Sequence, residues 1–200
     1  MQIPQLTIEF FLLQISVAFS PGLIIALVVN ESVQKGKING LQVAYGAASG
    51  AIGITVITAI VITYIFSLIP EILTFIYILG IIYIIYKGIK TLLDKGHEPT
   101  KLYSASFTSG LKINLANPKM WVFYLSVLPL FVKDEATMFS SLIFLGVITI
   151  LINLFADISY ALLSSYLFNN SSVKVKGYIN IISGVCLISV GIYLLFSRFV

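Results

Sequence analysis

Two charged residues lie inside long apolar runs of the sequence, where a charge is costly. Lys119 directly follows Pro118 near the middle of one run, and Asp157 lies inside another. An ammonium at the centre of a bilayer costs about 2.5 to 3.5 kcal/mol on insertion scales, so it is expected to face a cavity or a counter-ion. A buried carboxylate suits reversible protonation during coupled transport, whereas pairing with Lys119 would hold it ionised. Structural roles remain open: Asp157 could hydrogen-bond neighbouring helices, and Lys119 could reach an aqueous vestibule without contacting a solute.

Asp157 belongs to a stripe of polar residues that recur at helical spacing. Side chains three or four residues apart share one face of a helix. The stripe is therefore expected to line a cavity or to contact another helix, and its members are Thr149, Asn153, Asp157, Tyr160 and Ser164.

Two prolines interrupt apolar runs in comparable parts of the sequence, one in Ser20-Pro21-Gly22 and one in Asn117-Pro118-Lys119. Proline inside a helix removes a backbone hydrogen bond and frees carbonyl groups that lipid cannot satisfy. The sequence therefore predicts two interrupted helices whose ends meet near mid-membrane, where helix dipoles can bind charged groups of a solute. The alternative is a pair of simple kinks.

Further polar residues, among them Gln14, Asn30 and Asn114, lie in or near the same runs. They can satisfy the freed backbone groups or line the same cavity. The candidate substrate-binding or coupling residues are Pro21, Gly22, Asn30, Asn114, Asn117, Pro118, Lys119, Asn153, Asp157 and Tyr160.

Composition indicates a membrane protein that forms a single domain. Of the 200 residues, 58% are hydrophobic and 10% charged, which is too apolar for an ordinary soluble domain. The lysines form no basic stripe, so nucleic acid is not an expected partner. Cys186 and His97 are the single cysteine and histidine, and no phosphate loop, hydrolase elbow or zinc motif occurs. We expect no enzyme activity, no metal site and no cofactor.

Apolar runs predict an all-α membrane bundle of six transmembrane helices, because spanning a bilayer takes about 20 residues. The third helix reaches full length if Lys87 extends to the membrane surface. Short connections are predicted at residues 31–37, 70–71, 94–101, 133–135 and 169–176, so sequential helices should be antiparallel. The six predicted spans lie within residues 10–30, 38–70, 72–86, 107–132, 136–173 and 177–197.

Lysines predict the orientation, because short cytoplasmic loops are enriched in positive charge. Only Lys133 and Arg198 lie on the opposite side from the majority, so both termini are expected outside the cell membrane in a multi-pass topology. The lysines of the enriched side are Lys35, Lys37, Lys87, Lys90, Lys95, Lys101, Lys174 and Lys176.

The two halves, about residues 1–100 and 101–200, share features that suggest inverted three-helix repeats. Both halves carry a proline in their first helix, and residues 80–89 resemble residues 184–193 around their glycines. In the second helix, Gly46, Gly50 and Gly53 are surrounded by small residues, which permit close helix packing within the bundle or across a dimer interface.

These motifs resemble those of the LysE/RhtB family of amino-acid exporters over essentially the whole chain. The most specific part is the segment from Asn114 to Lys119 with its Asn-Pro-Lys motif. One departure is Ser20-Pro21-Gly22-Leu23, where the family often has Gly-Pro-Gly-Pro, so the first break and the substrate preference can differ. The other matching residues are Asn30, Gly36, Gly40, Phe107 to Gly110 and Leu128 to Phe131.

The resemblance implies proton-driven export of amino acids or their derivatives from the cytoplasm, and a homodimer. Two alternatives stay open. The chain could carry another small solute or ion, or it could be a membrane scaffold subunit that transports nothing. Which amino acid is carried, and whether protons or sodium drive the transport, is left open by the sequence.

Overall fold

The computed structural model describes residues 7–20, 22–69, 72–93, 106–132, 134–167 and 172–199, and these residues form helices and short connections without a strand. The α-helices within these described ranges are α1 (Ile8–Phe19), α2 (Leu23–Lys35), α3 (Lys37–Leu68), α4 (Ile72–Leu93), α5 (Phe107–Leu115), α6 (Pro118–Val122), α7 (Met138–Leu167) and α8 (Ser172–Phe199). A π-helical segment, Phe123–Val127, and a 3₁₀ segment, Leu128–Phe131, continue α6, and a second 3₁₀ turn covers Glu135–Thr137.

Three of the helices are long and apolar enough to cross a membrane, namely those containing Lys37–Ile65, Thr74–Leu93 and Met138–Ser164. α1 and α2 together are also long and apolar enough to cross a membrane, as one broken span with a bend of 48°. Two shorter apolar helices cover Pro118–Phe131 and Asn180–Phe196. The described residues thus form a helical membrane protein with three clear spans, or four when the broken pair counts as one.

Both predicted helix interruptions are present. α1 ends at Phe19 and α2 begins at Leu23, so the chain leaves the helix around Pro21, which itself lies outside the described residues. α5 ends at Leu115 and α6 begins at Pro118, with Asn117 as its N-cap. Proline is well suited to the first position of a helix, because its missing N–H would have no partner there. The second proline therefore starts a new helix instead of bending one.

The predicted connection at residues 31–37 is wrong. α2 continues to Lys35, and Gly36 alone separates it from α3. The helix continues because Glu31 is buried and forms an ion pair with Lys35 at 3.1 Å, one turn further on, so a charged residue does not mark the helix end. Gly36 has φ 92°, a conformation that favours glycine and permits the abrupt change of direction.

Two further boundaries differ from the sequence prediction. α4 extends beyond Tyr86 to Leu93, and α8 begins at Ser172, inside the predicted connection at residues 169–176. In both places lysines continue an apolar helix, which their long side chains permit. The predicted connections at residues 70–71 and 94–101, and His97 with them, lie outside the described residues.

The small residues of α3 pack against α5. A Cβ added to Gly46 would overlap the backbone carbonyl of Phe107, and one on Gly110 would overlap that of Val43. A Cβ on Gly50 would stand 3.0 Å from the carbonyl oxygen of Leu111. The glycines thus allow two backbones to approach closely, and of the two packing roles predicted for α3 the one within the bundle is present.

Candidate solute-binding cavity

A cavity with a largely apolar lining and a few polar and charged side chains lies where the two helix interruptions meet α3 and α7. The volume that the centres of water molecules can occupy in this cavity is about 70 Å³. One water needs roughly 10 to 15 Å³ of such volume, so the cavity has room for several waters or a small solute. Its residues are Val17, Ala18, Ser20, Gly22, Leu23, Ile24, Ile25, Ala47, Ala48, Ala51, Asn114, Asn117, Lys119, Met120, Phe123, Ile150, Asn153, Leu154 and Asp157.

At the first interruption, the start of α2 faces the ammonium of Lys119. The N-cap of α2 is Gly22, which has no side chain with which to cap this helix end. The Nζ of Lys119 lies 3.5 Å from the point that a Cβ on Gly22 would occupy. The first N–H groups of a helix carry partial positive charge and bind anions. Together with the lysine, they form an electropositive wall that suits a carboxylate.

At the second interruption, side chains satisfy the freed backbone groups and fix the position of Lys119. The side chain of Asn117 accepts a hydrogen bond from the Lys119 N–H at 3.1 Å. The indole of Trp121 donates to the carbonyl of Leu115 at 2.7 Å. The amide of Asn114 donates to the carbonyl of Ala47 at 2.6 Å, which joins α5 to α3 beside the cavity.

On the opposite wall, α7 presents an acidic and an amide side chain. Asp157 and Asn153 both line the cavity, and the Oδ1 of Asn153 accepts a hydrogen bond from Gln14 of α1 at 3.1 Å. Asp157 and Lys119 interact electrostatically but are not joined as an ion pair in this structure. The cavity thus separates one acidic wall from one basic wall.

Six of the ten predicted site residues line the cavity: Gly22, Asn114, Asn117, Lys119, Asn153 and Asp157. Tyr160 lies one turn beyond Asp157 and donates its hydroxyl to the carbonyl of Phe19 at 2.8 Å, so it partners the end of α1. Pro118 is exposed. Asn30 is buried at the far end of α2, where it accepts a hydrogen bond from Gln34 at 2.8 Å. Pro21 lies outside the described residues.

Lys87 is a residue beside this site whose position sequence reasoning missed. We expected it to extend to the membrane surface, but its side chain comes within hydrogen-bonding reach of Lys119. Ser20 was also missed as a wall residue, and its hydroxyl lies 3.3 Å from that of Thr91 on α4. Lys87 and Thr91 are one turn apart on α4, and this polar pair was the available signal.

A comparison of the sequence with known protein families shows to which family the chain belongs. A model of the LysE type translocator family matches residues 15–198, nearly the whole chain. The chain belongs to this family. This agrees with the resemblance seen in the sequence motifs, and it identifies a membrane translocator, a class of transport proteins and not of enzymes.

Two curated relatives of this translocator are themselves described as uncharacterized membrane proteins. One, from Synechocystis, is 28% identical over 186 residues, which cover 88% of this chain and 89% of the relative. The other, YrhP of Bacillus subtilis, is 26% identical over 147 residues, which cover 66% of this chain and 70% of the relative. No solved structure matches the chain. The relatives support a membrane protein and leave the translocator's solute open.

Proposed function

We propose that this translocator exports amino acids or their derivatives from the cytoplasm by proton antiport, with the cavity opening alternately to each side of the membrane. The observation that carries the proposal is that one cavity joins both helix interruptions and bears a cation on one wall and a carboxylate on the other. A membrane protein has little reason to bury such groups unless they face water or a solute.

A zwitterionic amino acid fits these two walls. Its carboxylate would lie between Lys119 and the start of α2 at Gly22, and its ammonium would lie near Asp157. Asn153 would hydrogen-bond the ammonium with its amide oxygen, which also accepts from Gln14. The last carbonyls of α1, near Ala18, would add partial negative charge at the cavity lining.

Two groups of buried apolar residues close the cavity from opposite directions. The far cluster includes Phe10 and Leu13 of α1, Ile54 and Ile62 of α3, and Leu142 and Leu145 of α7. The near cluster, at the lysine-rich end, consists of Ile25, Leu27, Val28, Val29, Val43, Ala44, Tyr160 and Ala161. On α3 and α7 the cavity residues lie between the two clusters. We infer that the two clusters act as gates that open in turn.

The near gate is the thinner one. About 15 Å of α3 separates Lys37 from the cavity residue Ala47, whereas about 26 Å separates Ala51 from the end of the helix at Leu68. With the lysine-rich end in the cytoplasm, the structure corresponds to a state from which loading on the cytoplasmic side needs the smaller rearrangement. Export then requires the far cluster to separate.

Asp157 is the proposed coupling residue. An ionised carboxylate holds the solute's ammonium, and a proton that arrives from outside would neutralise it and weaken that hold. The solute would leave outward and the proton would be released inward in the next half-cycle. Differential affinity of this kind is what shifts a two-state transporter between its conformations.

The proposal includes six spans arranged as two inverted three-helix repeats, with both termini outside. The glycine-bearing third and sixth spans pack directly against each other in the structure. A Cβ on Gly88 would meet Ile188 and the carbonyl of Gly184, and a Cβ on Gly184 would meet Leu92. Contact between equivalent helices is expected when a two-fold axis in the membrane plane relates two repeats. A homodimer would need another surface than the small face of α3, which α5 covers.

Two rival functions make different predictions. A carrier of divalent metal would need an oxygen-rich ligand set, whereas Asp157 is the carboxylate among the residues that line the cavity. A scaffold subunit would move no solute by itself. A measurement of amino-acid flux through purified protein in lipid vesicles therefore distinguishes an amino-acid carrier from both rivals.

The decisive experiment replaces Asp157 with Asn in such vesicles. Purified protein is reconstituted, loaded with a mixture of labelled amino acids, and given an imposed pH gradient. We expect wild-type protein to couple amino-acid flux to the gradient and Asp157→Asn to lose that coupling, with gradient-driven flux at least tenfold lower. Asp134→Asn, an exposed carboxylate outside the cavity, is the matched control. Full gradient dependence in Asp157→Asn would exclude Asp157 as the coupling residue.

A further inference from the structure

Two polar side chains lie one helical turn beyond the solute cavity, at the same depth on two neighbouring helices. On α1, Gln14 precedes the cavity residues Val17 and Ala18 by one turn. On α7, Thr149 precedes the cavity residue Asn153 by one turn. A hydrogen bond of 3.1 Å joins Gln14 to Asn153, so the two helices are in contact at this level. We call Gln14 and Thr149 the outer polar pair, because both lie on the side of the far cluster.

Both members of the outer polar pair are fully buried, and each has an atom that lacks a hydrogen-bond partner among the described residues. These atoms are the Gln14 Oε1 and the Thr149 Oγ1. A buried threonine of α3 behaves differently, because the Thr58 hydroxyl donates to the carbonyl of Ile54, one turn earlier, at 2.7 Å. Buried polar groups are costly without a partner and are usually hydrogen-bonded. The outer polar pair therefore needs a further ligand.

Water is the ligand that fits both atoms. The Gln14 Oε1 can only accept a hydrogen bond, whereas the Thr149 hydroxyl can donate one and accept another. A single water that donates to Gln14 and accepts from Thr149 satisfies both, and its second O–H remains free to face the cavity one turn away. A metal cation fits less well, since it would need a larger set of oxygen ligands.

A water at this position is in line with Asp157. Asn153 lies between Thr149 and Asp157 on α7, one turn from each. One turn of four residues rises about 6 Å, roughly two hydrogen-bond lengths, so single waters can bridge successive turns. Lys119 and Tyr160 also interact with Asp157, but Lys119 belongs to the second helix interruption and Tyr160 to the near cluster. The side of the outer polar pair thus offers neutral groups, which can hold water without binding a proton themselves.

We propose that Gln14 and Thr149 bind water at the outer end of the cavity, and that the proton which drives export reaches Asp157 through this water. The inference rests on the proposed function, in which the far cluster faces the outside. Leu142 and Leu145 of the far cluster separate Thr149 from the far end of α7 in this structure. The route to the outside therefore opens together with the far gate.

The proton moves by exchange between neighbouring waters. A hydronium ion from outside gives a proton to the bound water, which passes one of its own protons to a water in the cavity. The last step breaks an O–H bond of that cavity water and forms one on a carboxylate oxygen of Asp157. Each water that loses a proton has received one, so the net change is one proton transferred from outside to the carboxylate.

The test separates proton-driven flux from solute exchange in vesicles of purified protein. Exchange of labelled for unlabelled amino acid without a pH gradient needs no protonation of Asp157, whereas flux driven by an imposed pH gradient does. Thr149→Val keeps the shape of the side chain and removes the hydroxyl. We expect it to lower gradient-driven flux at least tenfold and to leave exchange within about twofold of wild type.

Three variants accompany this measurement. Thr149→Ser keeps the hydroxyl and should retain gradient-driven flux. Thr58→Val is the matched control, because Thr58 is similarly buried but its hydroxyl is bonded within its own helix, and it should behave as wild type in both assays. Gln14→Met keeps the length of the side chain and should show the loss of gradient-driven flux. Thr149→Ala removes the same hydroxyl and replaces the valine variant if that protein does not fold.

Equal losses of exchange and of gradient-driven flux in Thr149→Val would indicate a packing role and overturn the water site. Undiminished gradient-driven flux in both Thr149→Val and Gln14→Met would overturn it as well. Wild-type protein that exchanges no amino acid, or whose flux does not respond to the pH gradient, would instead overturn the proposed function itself.

Discussion

At the scale of single residues, Lys119 is the group on which the binding proposal depends most. Its backbone is fixed by Asn117, and its ammonium faces the start of α2 across Gly22. A solute carboxylate in that position would make charge-assisted hydrogen bonds, which are worth about 1.5 to 3 kcal/mol each. Losing one such bond corresponds to a roughly 10- to 100-fold loss of affinity.

We therefore expect Lys119→Met to weaken solute binding at least tenfold. The measurement is a titration of the purified protein with the amino acid that wild type transports best. Lys112→Met is the control, since Lys112 belongs to the same interrupted span but is exposed and does not line the cavity. Equal affinities in the two variants would show that Lys119 reaches water without contacting the solute, which is the alternative its sequence position leaves open.

The site residues on α7 could be predicted from the sequence, because helical spacing alone decides which side chains share a face. Asp157 and Asn153 follow that rule and line the cavity together. Asn30 does not line the cavity, although it was predicted to. Its position depends on where α2 ends, and the ion pair between Glu31 and Lys35 extends that helix. The direction of Lys87 was equally hidden, since a lysine near a helix end can point to the membrane surface or into the bundle.

At the scale of the helices, the close contact between α3 and α5 holds the second interruption in place. Asn114 of α5 binds the Ala47 carbonyl, and the glycines of both helices allow this approach. The sequence predicted a small-residue interface on α3 but not which helix would fill it, because small residues suit any partner. The structure assigns α5.

Gly46→Ala is expected to destabilise the protein by about 1 to 3 kcal/mol, the usual range for overpacking a close contact. The added methyl group would overlap the backbone of Phe107, which cannot move as a flexible side chain would. Gly53→Ala is the control, because its Cβ would have an ordinary contact of 3.7 Å with Leu115. Alanine also favours the helix over glycine, so this variant should be neutral or more stable. Thermal unfolding in detergent compares them, and equal losses in both would contradict the assigned packing.

At the scale of the whole molecule, the apolar runs predicted a helical membrane protein, whereas the positions of the two apolar clusters did not follow from them. The far cluster and the near cluster both take apolar residues from the same long helices, α3 and α7. Their separation by the cavity emerges only when the interrupted helices are packed against α3 and α7. Composition therefore predicts a helix bundle, and its three-dimensional packing is needed to divide the apolar core into the far cluster and the near cluster.

The most direct test of alternating access asks whether the cavity can be reached from each side of the membrane. Cys186 is the single cysteine, so Cys186→Ala gives a cysteine-free background in which Ala48→Cys puts one thiol on the cavity wall. Ala59→Cys is the control, because this residue of the same helix is fully buried in the far cluster.

The measurement is labelling of oriented vesicles with a thiol reagent that cannot cross the membrane, applied from one side or the other. We predict that the cysteine at position 48 reacts from the lysine-rich side, and also from the opposite side when an amino-acid and proton gradient drives turnover. The cysteine at position 59 should stay protected when no gradient is applied, because the far cluster is then closed. A cysteine at position 48 that reacts from neither side, or from one side only under every gradient, would contradict alternating access through this cavity.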